Sequence, residues 1–446
     1  PFFDFIIAIA ILLLLFLLFF FFFFFFFSLP VISAASRASA AGSNGYIDRR
    51  QQQLSAIAIS NASFSSSSSS SDVVALLAVK ASLRDPRGLL SSWKASGNTG
   101  GGNSTYNSAC EGKWLGVKCD SGKVIALHLP SKGLSGTLAT EIGDLPSLRQ
   151  LSLHSNAIAG PIPSSISSLR NLRGLYLFRN LFSGSIPTTF SPVLQALDLS
   201  KNRLSGPIPP EIASSALLRR LDLSYNSLSS TIPSSLSSLA RLQTLILSHN
   251  QILGSIPPHL AQQLTYLQIL DLSHNLLNGS YTVFNDEAMQ SDSVSLSSSS
   301  SLRTLNLSFN GLTGPLPSEL GELTMLLNLD LSNNDFSGPI PAELGNISGL
   351  SSLDISHNNL SGSIPSSFTK LTNLTIFNCS YNSLTGEVPK LSHSFDDSAF
   401  SGNLGLCAFS SSSPCPAIAE APSPSGISGA DETSTSTASS SSSSSS

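Results

Sequence analysis

The chain has 446 residues, with 23 Lys+Arg against 27 Asp+Glu and a net charge of −4. Charge this sparse and balanced excludes the strongly basic surface of a nucleic-acid binder. The length admits several ordinary domains or one extended array.

From Phe5 to Phe27 every residue is apolar, and Ser28, Leu29 and Pro30 end the run. A secretory signal carries a shorter apolar core of roughly 7–15 residues, whereas this run is long enough to cross a bilayer as a helix. Ala38-Ser39-Ala40 is a small-residue stretch of the kind cleaved after a signal. Arg37, Arg49 and Arg50 beyond the run work against the orientation that export needs. Residues 1–40 therefore read as a signal peptide or, alternatively, as an uncleaved anchor. Serine tracts at 65–71, 297–301 and 439–446 carry too little apolar surface to offset chain entropy. Residues 41–71 and 417–446 are accordingly expected to be low-complexity linkers.

Residues 72–94, DVVALLAVKASLRDPRGLLSSWK, predict a helix capped by Asp72. Leu76, Val79 and Leu83 form its apolar face, and Pro86 with Gly88 closes it. Trp93 and Trp114 are expected to pack between this helix and the first strand. Cys110 and Cys119 enclose EGKWLGVK immediately afterwards.

Beyond residue 120 the chain repeats itself. LSLHSNAIAGPIP at 151 returns as LYLFRNLFSGSIP at 175, LDLSKNRLSGPIP at 197 and LDLSYNSLSSTIP at 221. The marker asparagine falls at Asn156, Asn180, Asn202, Asn226, Asn250, Asn275, Asn310, Asn334, Asn358 and Asn382, with spacings of 24, 22, 24, 24, 25, 35, 24, 24 and 24. A first unit with Lys132 at the marker position brings the total to eleven, over residues 121–391. This period and the L-x-x-L-x-L-x-x-N frame are those of a leucine-rich repeat.

The fold follows from the alternation. In each L-x-L the leucines point to one side of a short strand and the middle residue to the other. A lone strand cannot bury its apolar face, but stacked units form one continuous core. Each buried Leu or Ile adds about 1.5–3 kcal/mol. The expected fold is an α/β solenoid, a horseshoe or superhelix with a parallel sheet on its concave face. Each marker Asn is expected to satisfy backbone groups where the chain turns inward. The Gly four residues later permits a tight bend, and Pro of the I-P step suits an outer edge.

Two units depart from this frame. Ser230 replaces the bend glycine in unit five, which reads as a mild change. Unit seven loses its I-P step and gains an insertion near 278–301, expected to be disordered or, alternatively, a contact element. Residues 392–416 should cap the far end, as 72–120 cap the near one, since open solenoid ends expose core leucines. The cysteines sit at those ends, so Cys110–Cys119 and Cys407–Cys415 read as disulfides. Neither pair has zinc-site spacing. Cys379 stands where other units have Leu or Ile and reads as a buried thiol.

These features resemble a known family. The L-x-G-x-I-P ending, the helix followed by SSW, and CEGKWLGVKC are similar to the extracellular half of plant leucine-rich-repeat receptor-like kinases, over residues 72 to about 416. KVIALHLPSKGLSGTL and FSGNLGLCAFSSSSPCP resemble the inflorescence-meristem receptor-like kinase subfamily. The resemblance implies a cell-surface or secreted module. Its partners would be a protein or peptide ligand and a second leucine-rich-repeat receptor, with no nucleic acid and no cofactor. In the family a membrane helix and a kinase follow; neither is written in this chain, so membrane contact falls to the N-terminal run or to a missing helix. The alternative is a freestanding secreted repeat protein, such as an inhibitor of cell-wall-degrading enzymes.

No catalytic motif emerges. V-A-I-K, H-R-D and D-F-G are absent, G-x-S-x-G does not occur, and the glycines of SGNTGGGN follow no strand. His154, His249, His274 and His357 recur beside marker asparagines without metal-ligand spacing. The chain does not read as an enzyme.

Function should instead lie in the strand residues that face away from the leucines. The candidate ligand-binding set is Ser152, His154, Tyr176, Phe178, Arg179, Asp198, Lys201, Asp222 and Tyr225, centred on units two to five. Aromatics and Arg are favoured anchors, and unit three concentrates them. The competing, plainer reading has Tyr176 and Phe178 simply covering neighbouring strands. Candidate glycosylation sequons stand at Asn278, Asn306, Asn346, Asn359, Asn373 and Asn378, with Asn306 and Asn378 in mid-strand on the open face.

Overall fold

The computed structural model describes residues 68–94, 108–111, 114–257, 260–280 and 301–407. The chain divides into two units, 1–65 and 66–446, and all described residues lie in the second. The N-terminal apolar run, the 281–300 part of the insertion, the Ser-rich linkers and Cys415 lie outside the described residues.

Two sets of strands run the length of the repeats. The first is a single sheet of twelve strands. Val117–Asp120 pairs antiparallel with Lys123–His128, and every later strand joins in parallel. The register pairs leucine with leucine throughout: Leu127 with Leu151, Leu175, Leu197, Leu221, Leu245, Leu270, Leu305, Leu329, Leu353 and finally Phe377. A one-residue slip in any unit would turn its leucines outward, so the repeat frame and the register enforce each other. The core is continuous from Ala75 to Leu384.

The second set, absent from the sequence-based expectation, lies just past each marker. Ser135–Thr137, Ala157–Gly160, Leu181–Gly184, Arg203–Gly206 and Ser227–Leu228 belong to one six-stranded sheet. A seven-stranded sheet begins again at Leu253–Gly254. The change of sheet falls where Ser230 replaces the bend glycine, yet the Gln251 N–H still donates to the Leu228 carbonyl at 2.8 Å and the Leu253 N–H to the Ser230 carbonyl at 2.9 Å across it. Ser230 keeps a φ of +72°, the left-handed bend that the glycines adopt elsewhere. A side chain there costs roughly 1 kcal/mol. Ser230→Gly should therefore raise stability by about that amount in chemical unfolding; no gain would mean that the left-handed serine carries no strain.

On the far side most of the described units carry a short 3₁₀ helix, such as Ser164–Ser168, Ser234–Ser238 and Ala342–Asn346. The I-P proline is the residue that opens it: Pro163 and Pro233 are N-caps whose carbonyls accept from Ile166 and Leu236. Repeat length decides this element. In the 22-residue unit ending at Asn202 no 3₁₀ helix forms, and buried Ser191 donates to the Arg170 carbonyl at 2.8 Å instead. The 25-residue unit ending at Asn275 makes an α-turn, Leu260–Gln263.

The marker asparagines form a buried ladder. Asn180 donates from Nδ2 to the carbonyls of Leu153 and Leu177, both at 3.0 Å, and accepts from the Ile158 N–H at 3.0 Å. The same three-way bond recurs at each marker. It continues one step further, at Asn403, which bonds Leu384, Cys379 and Phe400. Residues 399–401 also take the place of a following strand, accepting from the amides of Cys379 and Tyr381. The C-terminal cap is thus a twelfth, degenerate unit.

At the other end, helix α1 spans Ser68–Ser82. It starts four residues before the expected cap, so Asp72 lies inside it and does not cap it. Asp72 is buried and accepts from the Val124 N–H at 2.9 Å, tying α1 to the first strand. Burial pushes its carboxyl up, against the Val124 bond and nearby Lys123. A carboxylate with a raised folded pKa stabilises below its unfolded pKa and loses that contribution as pH rises through the folded one. Asp72→Asn should therefore stabilise the chain at neutral pH, and the gain should vanish in acid. Thermal unfolding across pH checks this; a gain independent of pH would refute it.

Trp93 and Trp114 stack at 5.4 Å, and Trp93 donates to the Leu115 carbonyl at 3.0 Å. Cys110 and Cys119 are bonded as expected. A loop this short contributes about 2.5–3 kcal/mol. Cys407 is also disulfide-bonded. Cys379 is a buried free thiol, pushed up to about 12 by burial.

Candidate functional site

Counting back from each marker, the residues at −6, −4 and −2 face away from the core, and the residue at −1 takes a left-handed turn. In units two to five these positions bring the candidate residues into adjacent strands: Ser152 pairs with Tyr176, Tyr176 with Asp198, and Asp198 with Asp222.

They do not all remain available. Asp198 and Asp222 are only 6% exposed, and Ser152 7%. Each aspartate Oδ1 accepts a 2.7 Å bond from the serine two residues on, Ser200 or Ser224. Arg220, which the sequence reading passed over, donates from Nη2 to Asp222 Oδ2 at 2.7 Å and lies 3.6 Å from Asp198 Oδ2. Burial pushes the Asp222 carboxyl up, and the neighbouring Asp198 charge adds to this against Ser224 and Arg220. The two acids and Arg220 thus form an internally satisfied cluster.

The aromatic part is half-buried rather than covered. His154 and Phe178 stack with centroids 4.2 Å apart and planes 8° apart. Burial holds His154 below the ordinary histidine range; Asp198 opposes this and Arg179 reinforces it. Tyr176 lies flat across Gly174: a Cβ added there would sit 2.8 Å from its Cε2 and 3.3 Å from its Oη. Gly174 is the only glycine at its position in the array, a signal in the sequence that periodicity alone passes over. Arg179 is exposed at a φ of +54°.

A second feature emerges at the −1 position. There Arg179, Lys201, Tyr225, His249, His274, Phe309, Asn333, His357 and Tyr381 all have φ between +52° and +55°. Left-handed backbone is uncommon for bulky residues, yet the frame imposes it, and the side chains stack from unit to unit. Lys201 Nζ sits 4.8 Å over the Tyr225 ring. Tyr225–His249, His249–His274 and His274–Phe309 follow at 4.0, 4.0 and 4.1 Å. His249 and His274 are therefore members of a ring ladder, and His357 stacks separately on Tyr381. Among the described residues no group of His, Cys, Asp and Glu is placed to hold a metal.

Of the sequons, Asn278, Asn346, Asn359 and Asn373 are exposed. Asn306 and Asn378 are half-buried: Asn306 Oδ1 accepts from Ser308 at 2.7 Å, and Asn378 Nδ2 donates to Asp354 at 3.2 Å.

Known proteins share the repeat fold. The model described as "Leucine rich repeat N-terminal domain" matches residues 69–120. Leucine-rich-repeat models match 147–169, 192–252, 241–286, 301–323, 325–347 and 349–371. The chain belongs to the leucine-rich-repeat family. Its form resembles that of plant receptor-like kinase ectodomains.

It is 48% identical over 83 residues to the probable leucine-rich repeat receptor-like protein kinase IMK3 of Arabidopsis thaliana. That match covers 19% of this chain and only 9% of the relative. The crystal structure of the Arabidopsis receptor kinase HAESA, in complex with the peptide hormone IDA and the co-receptor SERK1, matches with a TM-score of 0.60 and 36% identity, over 71% of this chain and 50% of that one. A plant ice-binding protein matches at 0.54 and 28% identity, over 76% and 95%. An extracellular or cell-surface position is consistent with these relatives. Among the described residues no helix is long and apolar enough to cross a membrane.

Proposed function

We propose that the chain is the recognition module of a plant receptor-like kinase, working on the extracellular side of the plasma membrane. Its open face in units two to five binds a peptide or a second leucine-rich-repeat receptor. The carrying observation is the contrast within that face. Asp198 and Asp222 satisfy themselves internally, while Tyr176, Arg179 and the His154–Phe178 stack present unspent binding groups. Clustered aromatics and Arg are the groups that dominate binding energy at interfaces. The likeness to HAESA, solved with a peptide hormone and a co-receptor, supports the partner class.

The test compares the secreted full chain with its Tyr176→Ala/Arg179→Ala variant against extracellular peptides and receptor ectodomains. The variant should lose at least about tenfold in affinity for the partner that the parent retains. Unchanged affinity would remove the patch from the account.

The alternative is a freestanding secreted repeat protein, favoured by the near-complete coverage of the plant ice-binding chain. Reading the transcript past Ser446 separates the two: a membrane helix and kinase support the receptor, and a stop codon supports the secreted form.

Of the sequons, we expect glycans at Asn278, Asn346, Asn359 and Asn373, and none at Asn306 or Asn378, which keeps the open face bare. Glycopeptide mass spectrometry of the plant-expressed chain checks this. Full occupancy at Asn306 or Asn378 would contradict it.

A further inference from the structure

Charge divides the open face into two halves. In units two to five, Arg173, Arg179, Lys201 and Arg219 are exposed. Among the described residues none of these four has a carboxylate within ion-pair distance; Arg149, beside them, pairs with Asp120 at 3.3 Å, and Arg220 is spent on Asp198 and Asp222. Arg173 and Arg219 lie along the leading edge of the sheet, linked through Gln195 by successive backbone bonds of 2.8 Å. Arg179 and Lys201 lie along the trailing edge, with Tyr176 and the His154–Phe178 stack between the edges. Free guanidinium groups flanking half-buried aromatic rings on a chain of net charge −4 are complementary to an acidic group.

The other half carries the opposite sign. Asp271, Asp330 and Asp354 occupy the −4 position of units seven, nine and ten, half-buried, each with Oδ1 bonded to a serine. Arg303 is the one cation at the strand positions from −7 to −1 in those units and unit eight. A uniform polyanion such as a polyuronate would gain over units two to five and be repelled further along. A mixed-charge chain gains over both halves.

We propose that units two to five hold the acidic end of an extended peptide whose basic residues lie over units seven to ten. This rests on the recognition reading above and adds the chemistry of the partner. The centres of the two charged halves lie about five strands apart, roughly 24 Å. An extended peptide rises about 3.4 Å per residue, so its acidic and basic groups are separated by about seven residues.

Four probes test this on the full chain: a peptide with a Glu pair and a Lys pair separated by six neutral residues, an isomer with the two pairs adjacent, an all-Glu peptide, and an oligogalacturonate. The separated-charge peptide should bind at least about tenfold tighter than the other three and weaken with added salt. Arg173→Glu/Arg219→Glu should abolish that preference and improve binding of a peptide carrying Lys pairs at both ends. Lys370→Glu, on the 3₁₀ helix Ser366–Lys370 of the opposite side, should leave it intact. Equal binding of the separated and adjacent isomers, or tighter binding of the oligogalacturonate, would overturn the proposal. If Tyr176→Ala/Arg179→Ala abolishes binding of a natural partner while Arg173→Glu/Arg219→Glu does not, the recognition reading stands and the charge assignment falls.

Discussion

Asn275→Ala is expected to cost about 3–5 kcal/mol, among the largest effects available to a single polar substitution in this chain. The amide is almost fully buried. Its Nδ2 donates to the carbonyls of Leu247 and Leu272 at 3.1 and 3.0 Å, and its Oδ1 accepts from the Ile252 N–H at 3.1 Å. Alanine keeps the backbone path but strips partners from groups that water cannot reach, each costing about 1–3 kcal/mol. The damage should be local at first, because each unit of a solenoid leans only on its neighbours. Hydrogen exchange should show the Ile252 amide losing protection together with units six to eight, before the global transition. A loss below about 1 kcal/mol would mean that water or relaxation replaces the amide.

Gly321→Ala should destabilise by about 1–3 kcal/mol although it adds a single methyl group. Gly321 lies in the 3₁₀ helix Ser318–Glu322, packed on the helix Ala342–Asn346 of the next unit. A Cβ at Gly321 would sit 2.6 Å from the carbonyl carbon and from the Cβ of Glu343, so backbone has to move. Gly143 and Gly345 are held in the same way against Ser165 and Ser367. Gly311 is the control: it lacks a positive φ, and its nearest neighbour would be the Leu277 carbonyl at 3.4 Å. Gly311→Ala should stay within about 0.5 kcal/mol of the parent. Equal effects at 321 and 311 in chemical unfolding would show that the helices do not pack this closely.

The difference between those glycines explains how much a reader of the sequence could see. The bend glycines recur at a fixed distance from each marker, and their left-handed φ is what that recurrence implies. Gly321 and Gly174 are required by neighbours 22 residues or two residues away, and periodicity carries no information about such approach. The leucine register, the asparagine ladder and the Cys110–Cys119 bond were legible because each follows from a local pattern repeated many times.

The site was less legible. Strand alternation correctly sends Asp198 and Asp222 outward, but the serine two residues on folds back to satisfy them, and adjacent strands then cover them. The ring ladder joins Tyr225, His249, His274 and Phe309 across unit boundaries. Their contacts depend on the left-handed turn at −1, which composition does not announce. Asn403 was hidden because no L-x-L precedes it; backbone at 399–401 stands in for the missing strand.

The ladder also makes acid a probe of the far edge of the sheet. Burial, then neighbouring His274 and Lys201, hold His249 below the usual histidine range, with Asp271 opposing. A histidine with a lowered folded pKa stabilises above its unfolded pKa and loses that contribution as pH falls through the folded one. His249→Gln should therefore flatten part of the stability loss on acidification below about pH 6.5.

Hydroxyl-radical footprinting of the full chain, with and without its retained partner, tests most directly whether recognition occupies the open face of units two to five. Tyr176, Phe178 and His154 should gain protection on binding, while Tyr266 and Met325, exposed elsewhere at 61% and 47%, should react unchanged. Protection confined to Tyr266 and Met325, with Tyr176 still reactive, would contradict the account.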